Sequence, residues 1–322
     1  MRLRLVPENT KWDFFSRPVL WLGISAVMVV LALGSFGIRG LNFGIDFKGG
    51  TTIRTESAQM VDVAAYRGAL EPLELGDVTI TEVFDPTFDA DQNVSMIRIQ
   101  AQEGEEAVTA DLVRDVHAAL QAVASDITFV SVESVGPKVS GELVKTAVIA
   151  VILAMAAVLV YIWLRFEWQF ALAAVVALVH DVLLTIGIFS ELQIRFDLAI
   201  IAALLTIVGY SLNDTVVVFD RVRENLRKYK KLDLKEVLNL SINGTLSRTV
   251  MTSATTLLAL ISLFVLGGDV IRGFIFAMIW GVVIGTYSSI FVASAVLLKL
   301  GVKRDWSKQA NTAGNKFADI DA

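Results

Sequence analysis

An aspartate, Asp214, stands inside the apolar run 200–219, with Asn213 beside it and Arg221 and Arg223 just past its end. A run of about 20 residues crosses ~30 Å of hydrocarbon as a helix rising ~1.5 Å per residue. An ionised group inside it costs about 2.5–3.5 kcal/mol on insertion scales, so the carboxyl must face protein or water. The chemistry open to it is reversible proton binding. Desolvation favours the neutral acid and a nearby cation favours the carboxylate, so a group balanced between them changes state as water enters or leaves. Arg248 is the candidate cation. It sits at the start of the next apolar run, 249–266, and antiparallel helices would bring it to the depth of Asp214, where the two can pair. Asn213 is placed to orient the acid by hydrogen bonding.

Hydroxyls cluster around Arg248. Thr245, Thr249, Thr252 and Thr256 recur at helical spacing, and Arg248, Thr252 and Thr255 share an adjoining face. Such a face supports a proton path or simply bonds back to its own helix, and the sequence leaves both open. His180 and Asp181, inside another apolar run, are costly and titratable. They either hold helices together, which we favour, or extend the relay. Asp220 and Arg221 read as helix-end anchors. Outside these runs, Gly44, Asp46, Lys48, Gly49 and Gly50 invite a phosphate-loop reading, but no Walker pattern is present and no helix is expected to open on the glycines. A turn joining membrane to domain is the better account, and no nucleotide hydrolysis is expected.

The elements that must position these groups are membrane spans. Hydrophobic residues make up 55% of the 322 positions, more than soluble domains carry, and the mean hydropathy is strongly positive. Apolar runs fall near 19–36, 144–164, 171–189, 198–219, 249–266 and 273–298. Arg2, Arg4, Lys11 and Arg17 precede the first, and Ala32-Leu33-Gly34 resembles a signal-peptide cleavage site. The run is longer than the usual stretch of about 7–15 residues, which favours an uncleaved anchor. In the last run Gly273, Ala277, Gly281, Gly285, Ser289 and Ala293 form a small-residue seam for close helix packing, against this chain or a partner.

Basic residues set the orientation. The N-terminal tail, the hinge at Arg165, the segment Arg221 to Lys235 and the tail with Lys299, Lys303, Arg304 and Lys308 all fall on one side of six crossings. Both termini are therefore expected in the cytoplasm, and the segment between the first two spans outside. The expected organisation is a tail over 1–17, a first span over 18–38, an external domain over 39–142, a five-span bundle over 143–300 and a polar, disordered tail over 301–322. The external segment is acidic, with Glu103, Glu105, Glu106, Asp111 and Asp115, but long translocated domains do not follow the charge rule. Cysteine is absent, which excludes thiolate chemistry.

Within the external segment the pattern turns to short alternating elements. Strands are expected over 51–55, 78–83, 94–101 and 127–132, and helices over 61–70 and 105–123. The order β-α-β-β-α-β is the split arrangement of a ferredoxin-like α+β domain. His117 is read as an ordinary helix-surface residue, and nothing in the domain has catalytic spacing. Gly136-Pro137 and Gly141 suit a junction re-entering the membrane.

Three stretches resemble the SecD/SecF family of bacterial protein-export membrane proteins, within the RND superfamily. They are Leu41 to Thr51 (LNFGIDFKGGT), Gly209 to Thr215 continuing through Phe219 to Asn225, and Leu246 to Ser253 (LSRTVMTS). The length and single external domain resemble SecF more than SecD or a fused chain. The resemblance implies an α-helical polytopic fold, six spans forming half of a pseudo-symmetric RND-type bundle. It further implies a SecD partner, assistance to the SecYEG translocon and unfolded preproteins driven by the proton-motive force, YajC as a companion, and the bacterial inner membrane. No cofactor, metal or enzymatic reaction is implied. One charge moved through ~150 mV releases about 3.5 kcal/mol, enough to shift a two-state equilibrium several hundred-fold. An RND-type efflux transporter of small molecules or lipids, and a passive scaffold, are the alternatives.

Overall fold

The computed structural model describes residues 10–58, 60, 62–86, 88–89, 92–101 and 109–302. Arg2 and Arg4, the acidic group Glu103, Glu105 and Glu106, and the tail beyond residue 302 lie outside them. Among the described residues, regular structure begins with α1 (Pro18–Arg39), whose proline occupies a first-turn position that needs no backbone N–H. A short strand β1 (Asn42–Phe43) and a four-residue helix α2 (Ile45–Lys48) follow, so the segment read as a turn contains a helical turn ahead of the glycine pair. Between α2 and the next long helix the chain runs β2 (Gly50–Ser57), α3 (Val63–Leu70), β3 (Val78–Val83), β4 (Asn93–Gln100), α4 (Ala110–Gln121) and β5 (Thr128–Val135). Asp62 and Thr109 cap the two helices by accepting backbone N–H bonds, which stabilises each start by about 1 kcal/mol.

The four strands pair antiparallel in the order β3-β4-β2-β5. Alternation sends Ile53, Ile80, Ile97 and Ile99 to one face, where Tyr66, Leu70, Val116 and Leu120 of α3 and α4 cover them. The opposite face is polar, carrying Thr52, Arg54, Met96 and Arg98, and it bounds a cavity shared with Arg195 and Arg272 at the end of the bundle. Burial, with Arg195 nearby, holds the Arg98 guanidinium down to about 10. His117 is half-buried with its ring edge-on to Phe129, so it packs rather than standing free on the surface.

The remaining helices are α5 (Pro137–Arg165), α6 (Trp168–Leu192), α7 (Leu198–Lys228), α8 (Leu234–Leu266) and α9 (Asp269–Tyr287), the last continuing through a π-helical turn (Ser288–Ala293) into α10 (Ser294–Leu300). Among the described residues, six helices are long and apolar enough to cross a membrane, counting α9 to α10 as one. The helix α6 and the α9–α10 rod are the most enclosed, while α1, α5 and α8 leave broad apolar faces uncovered. Tight packing follows from small residues, since lipid offers helices no hydrophobic drive to associate. The seam of α9 lies on α7 of the same chain: Gly273 faces Ile200, Gly281 faces Ile207 and Gly285 faces Ser211. That assigns the small-residue stripe to an internal contact.

Helices overrun their apolar runs, most of all α8. It starts at Leu234 rather than near 249, because Val237, Leu238, Ile242 and Leu246 recur at helical spacing and pack on Val218, Phe219, Val222 and Leu226 of α7. Polar residues between them keep this stretch below the hydropathy of a span. Arg248 therefore lies several turns into its helix rather than in the first. The same extension anchors the N-terminal segment, where Asn239 and Asn243 accept from the backbone N–H of Phe14 and Trp12.

Candidate proton-binding site

The site lies where α7, α8 and the π-helical turn meet. Asp214 is half-buried on α7. Its Oδ1 accepts from Thr249 Oγ1 of α8 at 2.5 Å, and its Oδ2 accepts a short bond from Ser289 Oγ of the π-helical turn. Ser289 continues the seam, one step beyond the Gly285–Ser211 contact, so the close approach of α9 to α7 delivers its hydroxyl to the acid. Thr249 reaches the acid because the buried stripe of α8, Ser241, Thr245, Thr249 and Ser253, faces inward. The Ser289 hydroxyl also lies 3.1 Å from the Thr286 carbonyl oxygen of its own turn.

Two expectations about this site need correcting. Arg248 is exposed, and no ion pair joins it to Asp214 among the described residues. Next to Thr249 on the helix, it points about 100° away from the face that meets α7. Asn213 is likewise exposed on α7, and the hydrogen bonds to Asp214 come from the hydroxyls instead. The threonine stripe divides. Thr249 reaches the acid, whereas Thr245, Thr252, Thr255 and Thr256 donate to carbonyls of α8 itself.

His180 and Asp181 form a separate buried cluster on α6, with Nδ1 to Oδ1 at 2.9 Å. Asp220 meets Arg165 at 3.4 Å near the end of the bundle. The glycine segment is structural at the other end. Gly49 and Gly50 have φ of +75° and +130°, and a Cβ on Gly50 would run into the Ile99 carbonyl. Their turn presents Asp46, whose Oδ2 accepts from Leu198 N at 3.0 Å, at the N-terminus of α7. Strand β1 pairs in parallel with β6 (Arg195–Phe196) beside it, and Gly44 leaves room for the Arg195 side chain.

Residues 115–303 match the family model described as protein export membrane protein SecD/SecF, C-terminal, and residues 34–59 match the SecD/SecF GG motif. The chain belongs to the SecD/SecF family. Among its relatives is the protein translocase subunit SecF of Cereibacter sphaeroides, 60% identical over 100% of this chain and 99% of that one. The SecF of Rhodobacter capsulatus is also 60% identical, over 98% and 96%. The crystal structure of SecDF from Thermus thermophilus, a translocon-associated membrane protein, superposes with a TM-score of 0.81 at 34% identity. The match covers 93% of this chain and 40% of that one, so the chain spans about two fifths of the SecDF polypeptide. Membership of the SecD/SecF family places the function in protein export and gives an efflux role no support.

The residues missed from sequence are Ser211, Ser288 and Ser289. The seam was visible, and Ser289 stood in it as a small residue; its hydroxyl role depends on where the seam docks. Ser289→Ala is expected to lower gradient-dependent export about tenfold, the scale of one hydrogen bond to a charged group. Vesicle export rates would show this; a wild-type rate would make the contact incidental.

Proposed function

We propose that this chain is the SecF subunit of a SecD–SecF pair in the bacterial inner membrane, with both termini cytoplasmic and a periplasmic, ferredoxin-like domain. Proton exchange at Asp214 drives that domain to assist preproteins leaving SecYEG, with YajC as a companion. The observation that carries this reading is the partner set of Asp214. Its two oxygens are held by hydroxyls. A hydroxyl both donates and accepts, so it serves the carboxylate and the neutral acid alike, whereas a fixed guanidinium would favour only the anion. Exposed Arg248 lies one residue from Thr249 and is the cation that a rotation of α8 would bring toward the acid in the other state.

Transmission runs along two helices. From Asp214, α7 extends rigidly to Leu198, where Asp46 and the β1–β6 pair tie it to the root of the domain. In parallel, α9 begins at Asp269, whose carboxylate accepts from Phe84 N at 2.7 Å and whose N–H donates to Phe84 O at 3.0 Å. That double contact joins the end of β3 to the bundle. The split β-α-β-β-α-β order with all neighbours antiparallel supports the ferredoxin-like assignment.

The test is export into inverted vesicles with and without an uncoupler, comparing wild type, Asp214→Asn and Arg248→Met. Uncoupling should slow the wild type to the level of the variants and leave the variants unchanged. Equal inhibition of all three would remove Asp214 from the coupling. Asp269→Ala is expected to cut export several-fold, since losing the carboxylate's bond to Phe84 N costs about 1–3 kcal/mol of domain attachment. Unchanged export in that variant would show that α9 transmits nothing.

A further inference from the structure

Asp181 is the buried carboxylate among the described residues, 1% exposed, and His180 beside it is 5% exposed. Three donors meet this acid. His180 Nδ1 lies 2.9 Å from Oδ1, and the hydroxyls of Ser211 and Ser288 each donate to Oδ2 at 2.7 Å. A carboxylate so supplied is satisfied as an anion, while its protonated form would have to displace a donor. The atom of the pair left to change state is His180 Nε2, which is buried without a hydrogen-bond partner. Nε2 carries a lone pair when Nδ1 holds the hydrogen, and Asp181 would balance the charge of the imidazolium.

The titratable groups facing His180 are Asp181 on its own helix and Tyr287 at the end of α9. The Tyr287 ring lies 6.1 Å from the imidazole, and its hydroxyl is engaged by Ser25 and the Trp21 carbonyl of α1. Asp214 is reached through two connections. Ser288 and Ser289 are consecutive, one donating to Asp181 on α6 and the other to Asp214 on α7. Ser211 stands three residues before Asp214 on α7 and donates to Asp181 as well. Both serines open a π-helical turn, a helix irregularity that concentrates at functional sites. The turn cannot withdraw from one acid without altering its hold on the other.

We propose that the His180–Asp181 pair is a second proton-binding site, occupied alternately with Asp214 through Ser288 and Ser289. This rests on the reading of Asp214 as a proton-binding residue. A proton taken from water forms an N–H bond at Nε2, giving an imidazolium–carboxylate pair with no change in oxidation state. An ionised Asp214 favours that imidazolium; a protonated Asp214 removes the negative charge and frees Ser289 to turn from donor to acceptor, which favours release. The two sites then hold one proton in turn.

The sequence has two histidines, His117 and His180, so ring-¹⁵N labelling of histidine resolves both in the full chain. Solid-state NMR on this chain with its SecD partner in lipid nanodiscs gives the imidazolium fraction of His180, with His117 in the external domain as internal reference. At a fixed pH of about 6.5, Asp214→Asn is expected to lower that fraction at least about twofold, and Asp181→Asn further still. Ser288→Ala, which keeps both acids, should shrink the response to Asp214→Asn by about half or more, and it replaces Asp181→Asn if that variant fails to fold. A His180 that stays neutral from about pH 5 to pH 8 overturns the proposal, as does an unchanged fraction in Asp214→Asn. Export lost in Asp214→Asn with a silent His180 would leave the first site standing without the second. A responding His180 with export intact would do the reverse.

Discussion

Asp214→Asn should reduce export to the rate seen without a proton gradient while leaving folding and expression near wild type. The asparagine side chain has the same shape, its carbonyl can accept from one hydroxyl, and its amide can donate to the other once Thr249 or Ser289 rotates. The site therefore keeps its contacts and loses only the ability to exchange a proton. At ~150 mV the gradient supplies about 3.5 kcal/mol per charge, so the conformational equilibrium it drives would relax several hundred-fold. Vesicle export measured across a range of imposed gradients would show a flat line for this variant. Asp214→Glu separates charge from geometry: it retains titration but crowds the seam beside Ser289, so a shallow, non-zero slope is expected. A variant with asparagine and a full wild-type slope would sink the assignment.

The second large effect is steric. Gly187 of α6 lies against α1, and a Cβ there would fall 2.6 Å from Ala32 Cα, with the Ala32 methyl closer still. Backbone cannot yield as a flexible side chain does, so α1 must lift away from α6 along the cluster of Ala32, Leu184 and Ile284. Overpacking of this kind costs about 1–3 kcal/mol, and Gly187→Val should reach the upper end. Thermal unfolding in detergent would show a clear fall in midpoint for Gly187→Val and a smaller one for Gly187→Ala. Gly34→Ala on α1, where nothing lies within 4 Å, is the control and should be neutral. Equal midpoints for the Gly187 and Gly34 variants would mean that the α1–α6 contact is not rigid.

How far the site was legible depended on the kind of signal each residue gives. Asp214 announced itself because a charge among apolar residues is rare and costly. Arg248 and Thr249 were both visible, yet which of them touches the acid follows from the rotation of α8. That rotation is fixed by Val237, Leu238, Ile242 and Leu246, a stripe too diluted by polar residues for hydropathy to mark as part of a helix. The glycines of α9 foretold a close helix contact, and the structure supplied the partner, α7, together with the consequence that Ser289 lands on Asp214. Asp46 looked like a loop residue; by accepting from Leu198 N it acts on the first turn of α7, a helix that begins far along the chain.

Taken alone, the amino-acid order determined the apolar runs, the alternating strands, the acid within the fourth run and the motifs of its family. Each of these is a local property, set by composition and period over a few turns. Tertiary structure alone decided which hydroxyls satisfy Asp181 and Asp214, and that Arg248 and Asn213 face away from Asp214. Those outcomes turn on the rotation and depth of whole helices, which are settled by packing among distant segments. A 100° step between neighbouring residues is enough to exchange a guanidinium for a hydroxyl at the site.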